Sequence, residues 1–422
     1  MQRVWFWTLF CALAAGIGYF SAAEARNSEA AKHNAQGVAH YNQAEWPEAV
    51  EAFLKARQQS PGNDTIRDNL VNAYQAYANE MAAEGDFATA AEIVNEAVSH
   101  DPGNPAPLVQ LGMYSLRLDR VADAIFRLEE AVELDPFNLD ALELLGDAYY
   151  RANDLSSALT LWREVQEEEP GRPGLEERIA KAERENQVEH GFHRSGSRHF
   201  DISYPPGTTG REEQLALSIL ERAYRELGQK FGNTFPPSPI QVILYSAEEF
   251  SAATNLDEHV GAVYDGKIRV PIRDRDGQPI EQDELERRLF HEYTHVVVRH
   301  LGGDKVPWWF NEGLAETFSD RLTEDDYRRL REALENDALF PLRAIDSSQL
   351  ETMPPPQLRL AYIQSHATVD YLWRRFGQGA LLNYLRALAD GYSGEDALRE
   401  VYHRTYHLLE REVENEIRNR SR

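Results

Sequence analysis

Cysteine is almost absent from this 422-residue chain: Cys11 is the only one. One sulfur allows no intramolecular disulfide, and removal of residues 1–25 would leave no thiol chemistry at all. Positive charge is also short. Forty-four Lys and Arg stand against 70 Asp and Glu, a formal net charge of −26. Phosphate polymers are held by clustered cations, so this balance argues against nucleic acid and anionic membrane surfaces as partners. A long apolar run occurs at the N-terminus, Val4–Phe20, preceded by Arg3 and followed by Ala23-Glu24-Ala25. It reads as a signal peptide over residues 1–25, cleaved after Ala25, which implies export and a periplasmic location. An uncleaved N-terminal anchor is the rival reading, because a run of about 17 residues just spans a bilayer; membrane contact follows only in that case. Thr8-Leu9-Phe10 ahead of Cys11 do not suit a lipoprotein cleavage site.

At this length two or three domains are expected. From residue 29 the chain repeats itself. Ala49…Phe53…Ala56…Pro61 returns as Ala90…Val94…Ala97…Pro102, then Ala124…Leu128…Ala131…Pro136, then Ala158…Trp162…Val165…Pro170. Pro102, Pro136 and Pro170 are 34 residues apart, whereas 41 separate Pro61 from Pro102. The longer step predicts a longer helix pair around Tyr74–Glu84. Gly37, Gly112 and Gly146 sit where the first helix of each pair needs a small residue; Ala78 stands there in the second. A 34-residue period of this kind resembles the tetratricopeptide repeat. It implies an all-α solenoid over residues 29–189, four helix pairs and a cap helix near Leu175–Gln187, since each repeat buries its face on its neighbours. By that analogy the concave surface takes a peptide or protein partner; a spacer that orients a second domain is the plainer alternative.

Periodicity is lost between Arg184 and Gly196, and the boundary is placed near 190. His190, His193 and His199 lie there with no carboxylate spaced as a ligand set, so a linker is expected. Beyond it the period becomes two in His199–Tyr204, a strand. A helix over Arg211–Phe231, a strand over Ile240–Tyr245 and a hairpin of Gly261–Tyr264 with Lys267–Val270 about Asp265-Gly266 follow. Strands first and helices afterwards predict an α+β domain over 195–420.

The centre of that domain is Asp283–His300, which contains His291, Glu292 and His295 as H-E-x-x-H. On a helix, positions four apart share a face, so both imidazoles can close on one metal, while Glu292 can take a proton from water held there. Asp283 as N-cap with Glu286, and Gly302-Gly303 as the stop, frame the helix. Pro307 is expected as the first residue of the next one, which continues through Trp308–Ser319. Glu312 and Glu316 lie on one of its faces. A catalytic zinc takes three protein ligands and keeps one open position, and two His with one Glu is a known set. Glu312 can complete it. Glu316, a turn later, can accept the second N–H of a ligand imidazole and so fix its tautomer.

His291-Glu292-x-x-His295 followed by Asn311-Glu312-Gly-Leu-Ala-Glu316 resembles the gluzincin metallopeptidases, close to the peptidase-MA-like proteins and the zinc aminopeptidases. The resemblance implies one zinc per chain on His291, His295 and Glu312, Glu292 as general base and Glu316 behind the ligands. Gly261-Ala262-Val263-Tyr264-Asp265 falls where zinc aminopeptidases carry G-A-M-E-N, the edge strand that holds the substrate backbone. Their amine-anchoring Glu is here Tyr264, which favours an endopeptidase. An edge strand can also bind an extended peptide by adding it as a further strand.

Thr323–Leu334 reads as a charged, solvated helix, Met353-Pro354-Pro355-Pro356 as a loop and Leu360–Phe376 as a helix with Tyr362 and His366 on one face. An acyl-transfer site needs a donor for the developing oxyanion; Tyr362 is the candidate and His366 the reserve. His403 and His407 are four apart with no Glu after the first, so no second metal site is expected. The sequence thus predicts a multidomain chain: a solenoid followed by an α+β gluzincin-type zinc peptidase whose substrate or partner the repeats recruit. Two alternatives stay open, a repeat-based envelope scaffold with a non-catalytic zinc domain, and hydrolysis of a non-peptide amide.

Overall fold

The structure, a computed structural model, describes residues 27–256, 262–346 and 353–420. The predicted signal peptide lies outside the described residues, as does Gly261. None of the described helices is long and apolar enough to cross a membrane. The chain divides into two units, one ending at Ile179 and the other beginning at Ala180.

Among the described residues of the first unit, eight helices form four consecutive pairs. These are α1 (27–42) with α2 (Trp46–Gln59), α3 (Asp64–Ala83) with α4 (Phe87–His100), α5 (Pro105–Arg117) with α6 (Val121–Leu134), and α7 (Leu139–Arg151) with α8 (Leu155–Glu168). The turn after each of three repeat prolines ends in an asparagine that caps the next helix. Asn63 accepts from the Ile66 N–H, Asn104 from Ala106 and Asn138 from Ala141. The long step of the second repeat lies in α3, which has 20 residues where α5 and α7 have 13, two extra turns. The repeat glycines are where paired helices touch. A Cβ on Gly37 would lie 2.6 Å from Phe53 and one on Gly112 2.5 Å from Leu128; at Gly146 it would strike Trp162. Leu128 is fully buried and cannot swing away. Gly112→Ala is therefore expected to cost about 1–3 kcal/mol through overpacking, read as a lowered denaturant midpoint with an unchanged m-value; an unshifted midpoint would mean the α5–α6 contact is looser than this spacing implies.

The next helix, α9 (Leu175–Glu189), holds the division between the units. The second unit opens as a five-stranded sheet of β1 (His193–Gly196), β2 (Phe200–Tyr204), β3 (Ile240–Ser246), β4 (Val263–Tyr264) and β5 (Ile268–Arg273), in the order β1-β2-β3-β5-β4. The outer pairs β1/β2 and β4/β5 are antiparallel and the inner pairs β2/β3 and β3/β5 parallel. The parallel pairings need crossovers, supplied by α10 (Gly210–Lys230) and α11 (Ala247–Thr254). One stretch departs from expectation. Residues 184–196, read as a linker, hold the end of α9 and all of β1. β1 is an edge strand with three of four residues exposed, so it carries no apolar alternation to read.

One face of the sheet presents Ile202, Val242, Leu244, Ile268 and Val270 to α10 and α12 (Gln282–Gly302). The other presents Ile243 and Tyr245 to Phe250, Val188 and Phe192. α13 (Trp308–Ser319), α14 (Glu324–Glu335), α15 (Pro355–Ala389), α16 (Gly394–Tyr402) and α17 (Tyr406–Asn419) complete the unit. Pro355 and Pro356, expected in a loop, are the first turn of α15, where a missing N–H costs nothing. α15 breaks at Gly377, whose φ of 73° only glycine adopts freely.

Candidate metal centre

The site lies where α12 crosses α13. α12 begins at Gln282 behind Glu281, which makes no side-chain capping bond. The expected Asp283–Glu286 capping box is absent, because the helix starts two residues earlier; Asp283 and Glu284 occupy its first turn, where the dipole favours them, and Glu286 pairs with Arg222. The stop is as expected: α12 ends at Gly302, and Gly303 follows with φ 68°. Pro307 is the cap of α13 and Trp308 its first residue. α13 lies close on α15 because Gly313 has no side chain; a Cβ there would meet the Ser365 carbonyl oxygen at 2.5 Å.

This crossing brings His291, His295 and Glu312 together, with one potential ligand atom from each within 4.8 Å of the others. Glu312 Oε2 is 3.4 Å from His291 Nε2 and 3.6 Å from His295 Nε2. Ligands about 2.0–2.2 Å from a tetrahedral metal are separated by roughly 3.3–3.6 Å, so Glu312 Oε2 stands from each imidazole Nε2 as two ligands of one zinc would. Both imidazoles are held from behind. The Nδ1–H of His295 donates to Asn311 Oδ1 at 3.0 Å, and His291 Nδ1 faces Glu316 Oε1 at 3.5 Å. Each Nε2 is thereby turned towards Glu312. The spacing of the motif predicts Glu316 in this position; it does not point to Asn311, although that residue directly precedes Glu312.

Electrostatics in this buried cluster are unusual. Burial alone would lower the His291 imidazole, but the Glu312, Glu292 and Glu316 carboxylates outweigh it and lift the group to about 9. Burial would raise Glu312, and the two imidazoles overcome it and hold the carboxyl low. Glu292 is 4% exposed, and burial pushes its carboxyl up. Its Oε2 has no hydrogen-bond partner, nor has His291 Nδ1 within hydrogen-bonding geometry. Orphaned buried polar atoms are costly; Glu292 Oε2 is one, next to three side chains that converge as potential ligands, and that donor set fits a metal.

The other predicted residues fall nearby in part. Val263 and Tyr264 form the edge strand β4 with Ala262 just before it, and α12 packs against β4 and β5. Tyr362 lies edge-on to Trp308 at 5.0 Å. Tyr362 and His366 line a polar cavity of about 220 Å³ with Arg287, Glu316 and Arg359; none of the three ligands lines it. Burial lowers the His366 imidazole despite the carboxylates around it, so it is neutral at pH 7. His199 is 2.8 Å from Glu221 and stacks on Tyr224. No second group of metal-holding residues occurs among the described residues.

The chain matches known proteins at both ends. Residues 71–113 and 109–173 match tetratricopeptide repeat families, and residues 278–419 match the Peptidase MA superfamily. A DnaJ homolog subfamily C member 3 homolog of Dictyostelium discoideum is 22% identical over 162 residues, which are 36% of this chain and 32% of that protein; the chain thus spans about a third of that relative. Among solved structures, the TPR domain of P58(IPK) is 13% identical and covers 92% of this chain and 78% of its own, with a TM-score of 0.27. A thermophilic TPR protein of Thermus thermophilus is 18% identical over 36% of this chain and 98% of its own, TM-score 0.23. The first TPR of Spaghetti (RPAP3), bound there to an HSP90 peptide, is 21% identical over 27% of this chain and 92% of its own, TM-score 0.26. The chain carries a Peptidase MA superfamily domain behind an N-terminal array of tetratricopeptide repeats.

Proposed function

We propose that this chain is an exported, zinc-dependent endopeptidase of the H-E-x-x-H…E type, whose repeats recruit a protein partner or substrate. The observation that carries the reading is the convergence of His291, His295 and Glu312 beside a buried carboxylate, Glu292, with an unpartnered oxygen. His291 and His295 through Nε2, and Glu312 through Oε2, would hold one zinc. Bound there, zinc polarises a carbonyl and acidifies water.

The chain's own residues supply the rest. Glu292 takes the proton of the attacking water and passes it to the leaving amine; burial, by raising its carboxyl, brings its basicity nearer that task. Asn311 and Glu316 keep the two imidazoles in one tautomer and one orientation. The outer edge of β4, Ala262–Tyr264, receives an extended peptide as an additional strand. Tyr362, with His366 behind it, is the candidate donor to the oxyanion. Tyr264 leaves no carboxylate for a free amine at the edge strand, hence an endopeptidase. A structural zinc site has no use for a buried unpaired base, which is the ground for preferring an enzyme to a scaffold.

The test is metal content. Purified protein should hold about one zinc per chain, and Glu312→Ala should lose most of it while keeping its helical circular dichroism. A well-folded wild type that binds no zinc after supplementation would overturn the reading.

A further inference from the structure

Among the described residues β4 has two residues and one neighbour: Val263 pairs with Arg269 and Tyr264 with Ile268. Such a short strand with one partner does not hold its own position. The residue that fixes it follows directly. Asp265 Oδ1 accepts from Arg269 Nε at 3.2 Å, and Asp265 Oδ2 is 2.6 Å from Lys181 Nζ on α9. Arg269 therefore meets the hairpin twice, through its backbone opposite Val263 and through its side chain at the turn.

Arg269 is anchored in turn. It is fully buried, and its Nη2 lies 2.8 Å from Glu185, while Nη1 donates to Glu189 at 2.9 Å and to the Tyr245 hydroxyl at 2.6 Å. Lys181, Glu185 and Glu189 are spaced by four along α9, one stripe facing β5 and the hairpin turn. A buried ion network is a poor route to stability, since apolar residues of like volume do as well or better; its best-attested use is to fix one register.

We propose that Lys181 and Asp265 are positioning residues: through Arg269 they latch the β4–β5 hairpin so that the outer edge of β4 stays in place beside α12 for an extended peptide. The substrate part rests on the peptidase reading above; the latch does not. Both residues are partly exposed, unlike Arg269, so each can be changed without leaving an unpaired charge in the interior.

The experiment compares the full chain with Lys181→Met and Asp265→Asn by amide hydrogen exchange, zinc content and cleavage of fluorescein-labelled casein. Exchange at Ala262–Ile268 should quicken by about tenfold in both variants, and no further in the double variant, with zinc content and protection of α12 and α13 unchanged. Casein cleavage should lose efficiency through a raised KM, with kcat within about twofold. Hairpin exchange equal to wild type, or a general loosening of the whole unit, overturns the latch. A loosened hairpin with unchanged KM overturns the positioning role. A wild type that binds zinc and leaves casein intact counts against the peptidase reading, while the exchange result still decides the latch.

Discussion

Glu292→Gln should hold as much zinc as the wild type and cleave peptide bonds about 10²–10⁴-fold more slowly. The two side chains have the same shape, and Glu292 is not among the three converging ligand residues, so the substitution leaves His291, His295 and Glu312 intact. What it removes is the acceptor beside the cluster that can take and return a proton. The fold should not suffer. The carboxyl is already raised by burial, and an amide has no ionised form to disfavour in the interior. The unpartnered Oε2 shows that no existing hydrogen bond depends on that oxygen. Metal analysis beside a cleavage assay on one preparation decides the matter. Undiminished turnover in a zinc-loaded variant would sink the proposed role of Glu292, whereas loss of both zinc and turnover would show that Glu292 holds the metal site together.

The chemistry of this site was legible because helices convert spacing into geometry. A step of four from His291 to His295, and of four from Glu312 to Glu316, suffices to place side chains on common faces. Repeat glycines were legible for a related reason: recurrence at a fixed period marks a shared packing demand, met at Gly37 by Phe53 and at Gly112 by Leu128. Pairing between distant segments left no such mark. β1 is exposed on most of its length, so nothing in His193–Gly196 alternates, and the parallel order of β2, β3 and β5 follows from crossovers and not from any one strand. The helix start at Gln282 escaped because Asp283 and Glu286 imitate a capping box two residues late. Least legible was Arg269. In a strand of alternating apolar residues, Ile268, Val270 and Ile272, it reads as the solvent side; it is buried only because α9, 80 residues earlier, covers that face.

That covering helix bears the second large effect. Replacing both Glu185 and Glu189 with alanine is expected to destabilise the second unit by about 3–5 kcal/mol, on the order of 10 °C in melting temperature for a unit of this size. The cost is an uncompensated charge. Arg269 and Lys267 have almost no exposed side-chain surface, and with both glutamates gone Arg269 keeps Asp265 and the Tyr245 hydroxyl as partners. Removing the charges together should cost far less: Arg269→Met and Lys267→Met combined with Glu185→Leu and Glu189→Leu are expected to regain most of the loss, since packed apolar side chains replace ion pairs without desolvation. The same reasoning applies to where the chain is cut. A fragment beginning at residue 195 lacks Lys181, Glu185 and Glu189 and should fail to fold, whereas one beginning at 175 retains them. Acid acts at the rim. Burial would raise Asp265, but Arg269 and Lys181 hold it at about 2, so its folded-state pKa lies below its unfolded one. Its contribution is present above about pH 4 and is lost as pH falls towards 2. Thermal melts from pH 7 to pH 2.5 should lose a pH-dependent component in that window that Asp265→Asn lacks. If the double alanine variant melts within a degree of wild type, or the quadruple apolar variant is no better than it, the ion network does not hold α9 to the sheet.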